Sequence, residues 1–318
     1  MTPGLKLFSG IGRFLLFLGL LPIAFANEFS STIDVPYVAV NVNIPYGVQV
    51  RQEQLFGLTG QRIGEAHHPG PMEFLTIGTT NPGGMRNKEP LAVEQGCGIW
   101  SYAETQLSKV TQVSAAKALK FHASQAGRHL RVHYGAPAAL RSRSTWAGSW
   151  TGVACTSDFP SKRLQVPWPD EFWTSGRVLA TQHFVGHHVA TVITIYGLPK
   201  GPTWPKAAAL TNEILQFVTK EFVIGYQGIV IINGDFNHGP QDLPCFSAWR
   251  AYGYNSAQEL AHQRWHQAIT PTCKGATERD MLWLSPMASA LCQAVNIQEV
   301  FHDHASVSVQ LNIEILRP

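Results

Sequence analysis

An acid and an amide, Asp235 and Asn237, follow a run of four aliphatic residues at 229–232. Such a run is typical of a strand buried on both faces, and Asn233 and Gly234 interrupt it. Because ligand sites on α/β sheets lie at the carboxyl ends of strands, these two side chains could together hold a water molecule and a phosphoryl oxygen. The alternative is an ordinary turn in which both side chains cap their own backbone.

Polar side chains also follow or border most of the other predicted strands. They are Asn81, Glu104, Tyr196, Asp280, Asp303 and His304. Each of them alone could be a cap, a turn residue or a satisfied core group. Their recurrence at separate strand ends instead predicts one polar site that the sheet edges bring together.

The hydrophobic pattern predicts the elements that must position these side chains. Strands are expected at residues 73–77, 98–103, 129–134, 177–180, 188–195, 229–232, 280–284 and 306–311, and another begins within 150–154. Helices are expected at residues 107–126, 203–221, 244–252, 256–264 and 287–293. Many strands with intermittent helices indicate one α/β domain in which helices cover the sheet faces.

The composition is that of a globular protein, since 45% of the 318 residues are hydrophobic and 14% are charged, with a net charge of +3. The charges are unevenly distributed, because residues 105–157 contain seven Lys and Arg but no Asp or Glu. This span could bind a polyanion. It could equally be a solvated face whose acidic partners come from elsewhere in the fold.

A loop within this span interleaves cations with aromatic rings at Arg141, Arg143 and Trp146. Such a loop can grip a phosphate backbone and stack on bases, so it is a candidate contact for nucleic acid. Its tryptophans could instead anchor the loop to the protein's own core.

Residues 1–26 have the layout of a secretory signal peptide, with Lys6 and Arg13 before a short apolar run. The run is too short for a comfortable membrane span, so no transmembrane domain is predicted. A working signal would direct the protein to the secretory pathway, and otherwise the nucleus or cytoplasm is expected. Residues 27–71 are predicted to be a loosely structured lead-in, and residues 72–318 the folded domain.

The motifs of several other enzyme classes are absent. The sequence contains no Gly-x-Ser-x-Gly, no His-Glu-x-x-His and no P-loop, which argues against serine esterases, zincins and P-loop NTPases. The five cysteines show neither a CxxC pair nor zinc-ligand spacing, so buried, reduced thiols are their simplest interpretation.

The order and context of the polar residues resemble the endonuclease/exonuclease/phosphatase superfamily, which has the DNase I-like fold. The segments Pro271-Thr-Cys-Lys-Gly275 and Leu282-Trp-Leu-Ser-Pro286 look most like the endonuclease domains of non-LTR retrotransposons. The matching pieces are Thr80-Asn81, Glu104-Thr105, Gly152-Val153, Tyr196-Gly197, Gly234-Asp235-Phe236-Asn237, Arg279-Asp280 and Asp303-His304. The resemblance implies a four-layer α/β sandwich, with two packed mixed β-sheets flanked by helices.

The resemblance also implies roles in phosphodiester hydrolysis. Glu104 would hold a divalent ion, Mg²⁺ or alternatively Mn²⁺, and Asp303 would lie near that ion directly or through water. Asp235 would orient and deprotonate the attacking water. Asn237 would position that water or the phosphate.

The remaining polar residues would act on the phosphate or on their neighbours. His304, aligned by Asp280, would donate a hydrogen bond to a phosphoryl oxygen as negative charge develops on it. Tyr196 would donate a phenolic hydrogen bond to the phosphate, and Asn81 would hold its neighbours in register. The sequence departs from the family's pattern at Gly83, where an acid is common, at His302, where Ser is common, and after Tyr196, where Gly-Leu-Pro replaces the usual Gly-Pro.

Together these features predict a metal-dependent phosphodiesterase, a monomeric endonuclease acting on nucleic acid and most simply on DNA. Two alternatives stay open. One is the same chemistry on a small or lipid phosphate ester. The other is a binding module that keeps the fold after its catalysis has decayed.

Overall fold

The computed structural model describes residues 74–138, 151–199 and 205–314, and twelve strands lie within them. The predicted signal segment 1–26, the lead-in 27–71 and the loop with Arg141, Arg143 and Trp146 lie outside the described residues. The strands are β1 (Phe74–Thr80), β2 (Ile99–Tyr102), β3 (Arg131–Tyr134), β4 (Ala154–Ser157), β5 (Ser161–Arg163), β6 (Val178–Val185), β7 (His188–Tyr196), β8 (Ile229–Asp235), β9 (Asn255–Ser256), β10 (Asp280–Leu284), β11 (Cys292–Phe301) and β12 (His304–Asn312).

The strands form two six-stranded sheets. Sheet 1 has the order β11-β12-β1-β2-β4-β3, and sheet 2 has the order β5-β6-β7-β8-β10-β9. In sheet 1 only β1 and β2 are parallel neighbours, and in sheet 2 only β7 and β8 are. Both sheets are therefore mixed, as the resemblance implied.

Seven α-helices lie among the described residues, and none of these is long and apolar enough to cross a membrane. They are α1 (Glu89–Gln95), α2 (Lys109–Gln125), α3 (Asp170–Thr174), α4 (Pro205–Val218), α5 (Pro244–Ala251), α6 (Ala257–Trp265) and α7 (Pro286–Leu291). A π-helical turn at Thr219–Val223 extends α4.

Strand β8 shows why the sheets pack face to face. Ile229 and Ile231 belong to the hydrophobic cluster between the sheets, whereas Val230 and Ile232 belong to a second cluster on the outer face of sheet 2. Successive side chains of a strand point to opposite faces, so an unbroken aliphatic run can supply two cores at once. The prediction that this strand is buried on both faces is therefore confirmed.

Helices cover the outer face of each sheet. Side chains of α4 and α5 pack on sheet 2. There the Phe246 ring stacks on Trp283 at a centroid distance of 5.1 Å, and Trp249 meets both rings edge to face at 5.5 Å. Side chains of α1 and α2 pack on sheet 1 around Trp100 and Tyr102. The order of layers is thus helices, sheet 1, sheet 2, helices, which confirms the predicted four-layer α/β sandwich.

Several elements differ from the sequence expectation. The helix expected at 287–293 ends at Leu291, and β11 follows it at once as a ten-residue strand that was not predicted. The strand expected to begin within 150–154 is β4, which starts at Ala154. Strand β8 runs three residues beyond its aliphatic run, to Asp235, because Asn233, Gly234 and Asp235 still pair with both neighbouring strands.

Gly234 allows this extension of β8. Its φ is 136°, and a Cβ added there would lie 1.8 Å from the carbonyl oxygen of Ile195 on β7. Only glycine adopts such a backbone conformation without strain, and only glycine leaves room for so close a neighbouring carbonyl. This residue therefore places Asp235 beside the end of β7.

We expect Gly234→Ala to lower the free energy of unfolding by more than about 3 kcal/mol, because left-handed strain and a backbone clash act together. Gly186→Ala is the matched control. Gly186 also has a positive φ, of 60°, but nothing lies within 4 Å of an added Cβ. That variant should lose only about 1–2 kcal/mol, measured by urea denaturation. Equal losses in the two variants would contradict the close packing of β7 and β8.

Candidate active site

Sheet 2 places three of the predicted site residues side by side. In the strand register, Asp235 at the end of β8 lies between Tyr196 at the end of β7 and Asp280 at the start of β10. The parallel pairing of β7 with β8 brings their carboxyl ends together, and the antiparallel β10 begins at the same edge. Residues up to 84 positions apart in sequence therefore meet in one row.

Sheet 1 supplies the other half. Thr80 pairs with Tyr102 at the ends of the parallel strands β1 and β2, so the segments that carry Asn81 and Glu104 leave sheet 1 together. His304 is the first residue of β12, the antiparallel neighbour of β1. We use the term polar cluster for Asn81, Glu104, Tyr196, Asp235, Asp280 and His304.

Asn81 links the two sheets directly. Its side-chain Nδ2 donates to Glu104 Oε2 and to Asp235 Oδ2, both at 2.9 Å. Its Oδ1 accepts from the backbone N–H of Gly83 at 2.7 Å, which fixes the direction of the amide. One buried amide therefore bonds two carboxylates, one on the segment that follows β2 of sheet 1 and one at the end of β8 in sheet 2.

Glu104 accepts hydrogen bonds on both carboxylate oxygens. The Tyr196 hydroxyl donates to Oε2 at 3.0 Å, and Gln106 Nε2 donates to Oε1 at 3.0 Å. Glu104 and Gln106 both have positive φ values, 53° and 56°. Non-glycine residues rarely hold this conformation, and it occurs preferentially where the surrounding structure presents a functional side chain.

Asp235 and Asn237 form the Asx turn that was the alternative interpretation, but Asp235 also belongs to the polar cluster. The backbone N–H of Asn237 donates to Asp235 Oδ1 at 2.8 Å, and Asn237 Nδ2 donates to the Gly197 carbonyl at 3.0 Å. Burial raises the pKa of Asp235, and the charge of His304 and the hydrogen bonds from Asn81 and Asn237 only partly offset it. A carboxylate with a raised pKa accepts a proton more readily.

Asp280 and His304 form a buried acid–imidazole pair. His304 Nδ1 lies 2.7 Å from Asp280 Oδ2, and Asp280 is fully buried. Burial and repulsion by Asp235 raise the pKa of Asp280 to about 7, although the bond to His304 opposes the shift. Burial disfavours the charged imidazolium and lowers the pKa of His304. The hydrogen bond to Asp280 and the negative charges of Asp280, Asp235 and Glu104 outweigh burial and raise that pKa to about 9.

Asp303 lies beside the polar cluster in sequence but differs from its members in exposure. Its side chain is 54% exposed, and its carboxylate lies 3.0 Å from His302 Nδ1. Its backbone carbonyl accepts from the Lys274 N–H at 2.8 Å. Its predicted proximity to a metal ion held by Glu104 therefore stays a prediction.

Two further residues support the polar cluster and were not predicted. The buried Arg177 donates from Nη1 to the carbonyls of Tyr196 and Gly197, and its guanidinium carbon lies 5.0 Å from the centre of the Tyr196 ring. Thr272 Oγ1 accepts the backbone N–H groups of Arg279 and Asp280, both at 2.9 Å. An isolated Arg or Thr gives no sequence signal for such a role, because its partners lie on other elements.

Burial keeps Tyr196 protonated. Its pKa is raised well above 10, first by burial and then by the charges of Glu104 and Asp235. The phenol is therefore a hydrogen-bond donor at neutral pH, and its partner in the structure is Glu104.

The donor chemistry of the polar cluster suits a hard divalent cation. Glu104 and Asp235 present carboxylate oxygens on either side of one amide nitrogen, and Glu104 is only half-buried. Mg²⁺ prefers such oxygen ligands and usually keeps several waters. Asp235, Asp280 and His304 also place one ligand atom each within 4.8 Å of the other two. The mutual bond of Asp280 and His304 makes that group less suited to Mg²⁺ than Glu104 is.

No family model matches the chain, and no curated protein matches it. The fold is nevertheless similar to solved structures. A 3′ phosphatase from Neisseria, bound to product DNA hairpin, is 18% identical with a TM-score of 0.55, covering 74% of this chain and 99% of that one. An AP endonuclease from Leishmania major is 13% identical with a TM-score of 0.56, covering 79% and 92%.

The endonuclease domain of a telomere-specific non-LTR retrotransposon is 13% identical with a TM-score of 0.50, covering 76% of this chain and 99% of that one. A protein from Leptotrichia buccalis that carries the endonuclease/exonuclease/phosphatase family name is 11% identical with a TM-score of 0.53, covering 74% and 99%. At these identities the likeness concerns the fold. It confirms the DNase I-like fold that the motifs indicated.

Proposed function

We propose that this chain of DNase I-like fold is a divalent-metal-dependent phosphodiesterase that hydrolyses nucleic acid, most simply DNA, as an endonuclease. One observation carries the proposal. Asn81 donates hydrogen bonds to both Glu104 and Asp235, and the Asp280–His304 pair lies beside Asp235. A carboxylate that could bind a cation, a carboxylate that could act as a base and a cationic hydrogen-bond donor are therefore neighbours. Phosphodiester hydrolysis requires these three functions together.

Glu104 would hold the cation, with Asp303 contributing directly or through water once it turns from His302. The bound Mg²⁺, or Mn²⁺ as the alternative, would neutralise charge on the phosphate oxygens. Tyr196 and Gln106 hold the Glu104 carboxylate in place. Because the Tyr196 hydroxyl already donates to Glu104, we assign it the positioning of that carboxylate in addition to the expected contact with phosphate.

Asp235 would take the proton of the attacking water. Asn81 and the Asn237 N–H each donate to one of its oxygens. Each oxygen therefore keeps a lone pair that could orient the water and accept its proton. The raised pKa of Asp235 favours this proton transfer. Asn237, two residues after Asp235, would position the water or the phosphate through its side-chain oxygen, because its Nδ2 already donates to the Gly197 carbonyl.

His304 would donate a hydrogen bond from Nε2 to a phosphoryl oxygen. Asp280 holds Nδ1 at 2.7 Å, so the opposite ring nitrogen is the one directed away from the buried carboxylate. The fixed imidazolium then needs no reorientation as charge develops on the phosphate.

Support for a nucleic-acid substrate comes from the surface charge and from one structural neighbour. Lys109, Lys117, Lys120 and Arg131 are exposed on the acid-free span, and the Neisseria phosphatase was solved with a DNA product. Arg128 does not contribute, because it forms an ion pair with Asp158 at 2.9 Å and binds backbone carbonyls. For Arg128, the alternative that its charge is paired with an acid from outside residues 105–157 is therefore the correct one.

The substrate class can be tested by parallel assays with Mg²⁺ and with EDTA. We expect the protein to nick supercoiled plasmid in Mg²⁺ and to lose this activity in EDTA. A duplex with a 3′-phosphate end tests end processing, and sphingomyelin and inositol phosphates test the lipid and small-ester alternative. Release of phosphate or phosphocholine from those esters with plasmid left intact would refute a nucleic-acid substrate.

The pH dependence of activity should report the Asp280–His304 pair. His304 is cationic below its raised pKa of about 9, so its contribution is lost as pH rises through that value. Asp280→Asn removes the charge that stabilises the imidazolium. We therefore expect the alkaline limb of kcat/KM to move down by about one pH unit or more in that variant. An unchanged alkaline limb would show that His304 is not the group that titrates.

A further inference from the structure

A cavity of about 700 Å³ lies along one side of the sandwich, where β3 and β5, the edge strands of the two sheets, adjoin. Strand β3 and the segment that follows it form one wall of the cavity. The other walls are the first turn of α2 with Lys109, strand β5 with Arg163, and α3 with Trp173. None of these three side chains has a part in the proposed hydrolysis.

The cavity lies toward the same end of the sheets as the polar cluster. Strand β4 is antiparallel to both β2 and β3, so the carboxyl ends of β2 and β3 lie at one end of sheet 1. Glu104 follows β2, and residues 135–137, which line the cavity, follow β3. The two segments are joined by a hydrogen bond of 2.9 Å from the Ala138 N–H to the Leu107 carbonyl.

The separation of the cavity from the polar cluster can be bounded from the chain itself. Lys109 is the fifth residue after Glu104, so their α-carbons lie no more than about 18 Å apart. Each strand of duplex DNA rises about 3.4 Å per nucleotide, so this span corresponds to about five nucleotides. A strand cleaved at the polar cluster could therefore place one of its flanking phosphates at the cavity.

The charges at the cavity suit such a phosphate. The side chains of Lys109 and Arg163 are exposed, and neither forms an ion pair within the described residues. The described residues that line the cavity include no Asp or Glu, because the two exposed acids of α3, Asp170 and Glu171, are not among them. An anion there would therefore meet two cations that have no carboxylate partner.

His133, in the wall of the cavity, reports the positive potential around it. Burial lowers the pKa of His133, and the charges of Arg163, Arg131 and Lys120 lower it further. Its Nε2 lies 2.8 Å from the Ser161 hydroxyl, which joins the two edge strands. Cations from α2, β3 and β5 thus act on one point, as a site for a polyanion requires.

Trp173 holds the Arg163 side chain in place. The guanidinium carbon of Arg163 lies 5.1 Å from the centre of the Trp173 ring. A contact with the ring face orders the guanidinium without using its N–H groups, so these stay available as donors. Arginine presents such donors in a planar fork that matches two phosphate oxygens.

We infer that this cavity binds a backbone phosphate of nucleic acid, a few nucleotides from the bond that the polar cluster cleaves, with Arg163 and Lys109 as the binding residues. The substrate class in this inference rests on the proposed function, whereas the binding itself needs no cleavage. Because only a polymer carries a flanking phosphate, the site favours long substrates over small phosphate esters.

Binding can be measured without activity, by the fluorescence anisotropy of a labelled duplex of about 20 base pairs in EDTA. The counterion that one phosphate contact releases is worth about eightfold in affinity between 1 M and 0.1 M salt. We expect Arg163→Gln and Lys109→Gln each to weaken binding about fivefold to tenfold at about 0.1 M salt, and to reduce the salt dependence by about one contact.

Lys220→Gln is the charge-matched control, because Lys220 is exposed and does not line the cavity. It should keep the wild-type affinity and salt dependence. Wild-type affinity and salt dependence in both cavity variants would overturn the phosphate site.

Cleavage of a long and of a small substrate separates a flanking contact from an effect on the catalytic centre. We expect Arg163→Gln to lower kcat/KM for the duplex about fivefold to tenfold, mainly through KM. Bis(para-nitrophenyl) phosphate, a diester without flanking nucleotides, should be cleaved by this variant at the wild-type rate. Equal losses on the two substrates would overturn the inference, because Arg163 would then act on the catalytic centre.

The remaining outcomes keep the two proposals apart. If neither substrate is cleaved, the proposed function fails, and the anisotropy in EDTA still decides the phosphate site. Cosedimentation with phosphatidylserine vesicles tests a lipid headgroup as the occupant. Vesicle binding that Arg163→Gln abolishes, together with unchanged binding of the duplex, would assign the cavity to lipid and overturn the inference.

Discussion

Asp235→Asn is expected to lower the rate of DNA cleavage by about 10²–10⁴-fold, the range for loss of a positioned general base. An asparagine at this position has one acceptor oxygen instead of two, so it keeps either the Asx-turn bond from the Asn237 N–H or the bond from Asn81 and gives up the other. It cannot take the proton of water. The effect should therefore appear in kcat with little change in KM, measured by single-turnover cleavage of a labelled duplex in saturating Mg²⁺.

The stability of this variant distinguishes a chemical role from a structural one. Burial raises the pKa of Asp235, so its ionised form costs free energy in the folded state. Asp235→Asn removes that cost but gives up one of two buried hydrogen bonds, each of about 1 kcal/mol, so the melting temperature should change little. Asp242→Asn, a like change at an exposed acid seven residues away, is the control and should keep wild-type activity. A cleavage rate within threefold of wild type in Asp235→Asn would rule out its assigned role.

His304→Ala is expected to lower cleavage by about 10²–10³-fold, the usual effect of removing one preorganised donor to a developing oxyanion. The loss should be largest at neutral pH, where the wild-type imidazole is cationic because its pKa is raised to about 9. The measurement is kcat/KM across the pH range. His187→Ala, at an exposed position in the β6–β7 turn, is the control.

The same variant should show a pH-dependent loss of stability, because it leaves Asp280 buried without its cationic partner. The pKa of Asp280, already raised to about 7, would rise further above its ordinary 3.8. The folded state then binds a proton that the unfolded state has released, so the free energy of unfolding falls as pH rises through that interval. Adding Asp280→Asn should remove this dependence, measured by urea denaturation. If the free energy of unfolding depends on pH in the same way in His304→Ala and in the double variant, Asp280 is not the group responsible.

The sequence was informative where one physical signal was strong. The unbroken aliphatic run of β8 predicted a doubly buried strand, and the acid and amide after it predicted a site at the sheet edge. Helix α4 followed from apolar residues at helical spacing, and all of Ala207, Leu210 and Ile214 are buried. In each case a local pattern and the packing of the fold required the same residue types.

Strand β11 was missed because its pattern contradicts its conformation. It lies at the edge of sheet 1, and its register shifts at two places, between Cys292 and Ala294 and between Glu299 and Phe301. Each irregularity breaks the alternation of apolar and polar residues that identifies a strand. Strand β5, with only three residues and an exposed Lys162 and Arg163, carries no hydrophobic signal at all.

The contacts of the polar cluster lie beyond sequence reasoning because they join distant segments. Tyr196 and Glu104 are 92 positions apart, and Asn81 and Asp235 are 154 apart. The sequence could indicate that each residue ends a strand, but not which oxygen receives which hydrogen bond. For the same reason the hydrogen bond from Tyr196 to Glu104 was not predicted, and the contact of Tyr196 with the phosphate stays a prediction.

The central claim is that residues from both sheets form one hydrolytic centre for nucleic acid. Its most direct test is the conversion of supercoiled plasmid to the nicked form in Mg²⁺, with wild type and Asp235→Asn purified in parallel. We predict nicking by the wild type, its abolition by EDTA, and at most about one hundredth of the wild-type rate in the variant. Equal nicking by the two proteins, or none by a folded, Mg²⁺-supplied wild type, would contradict the claim.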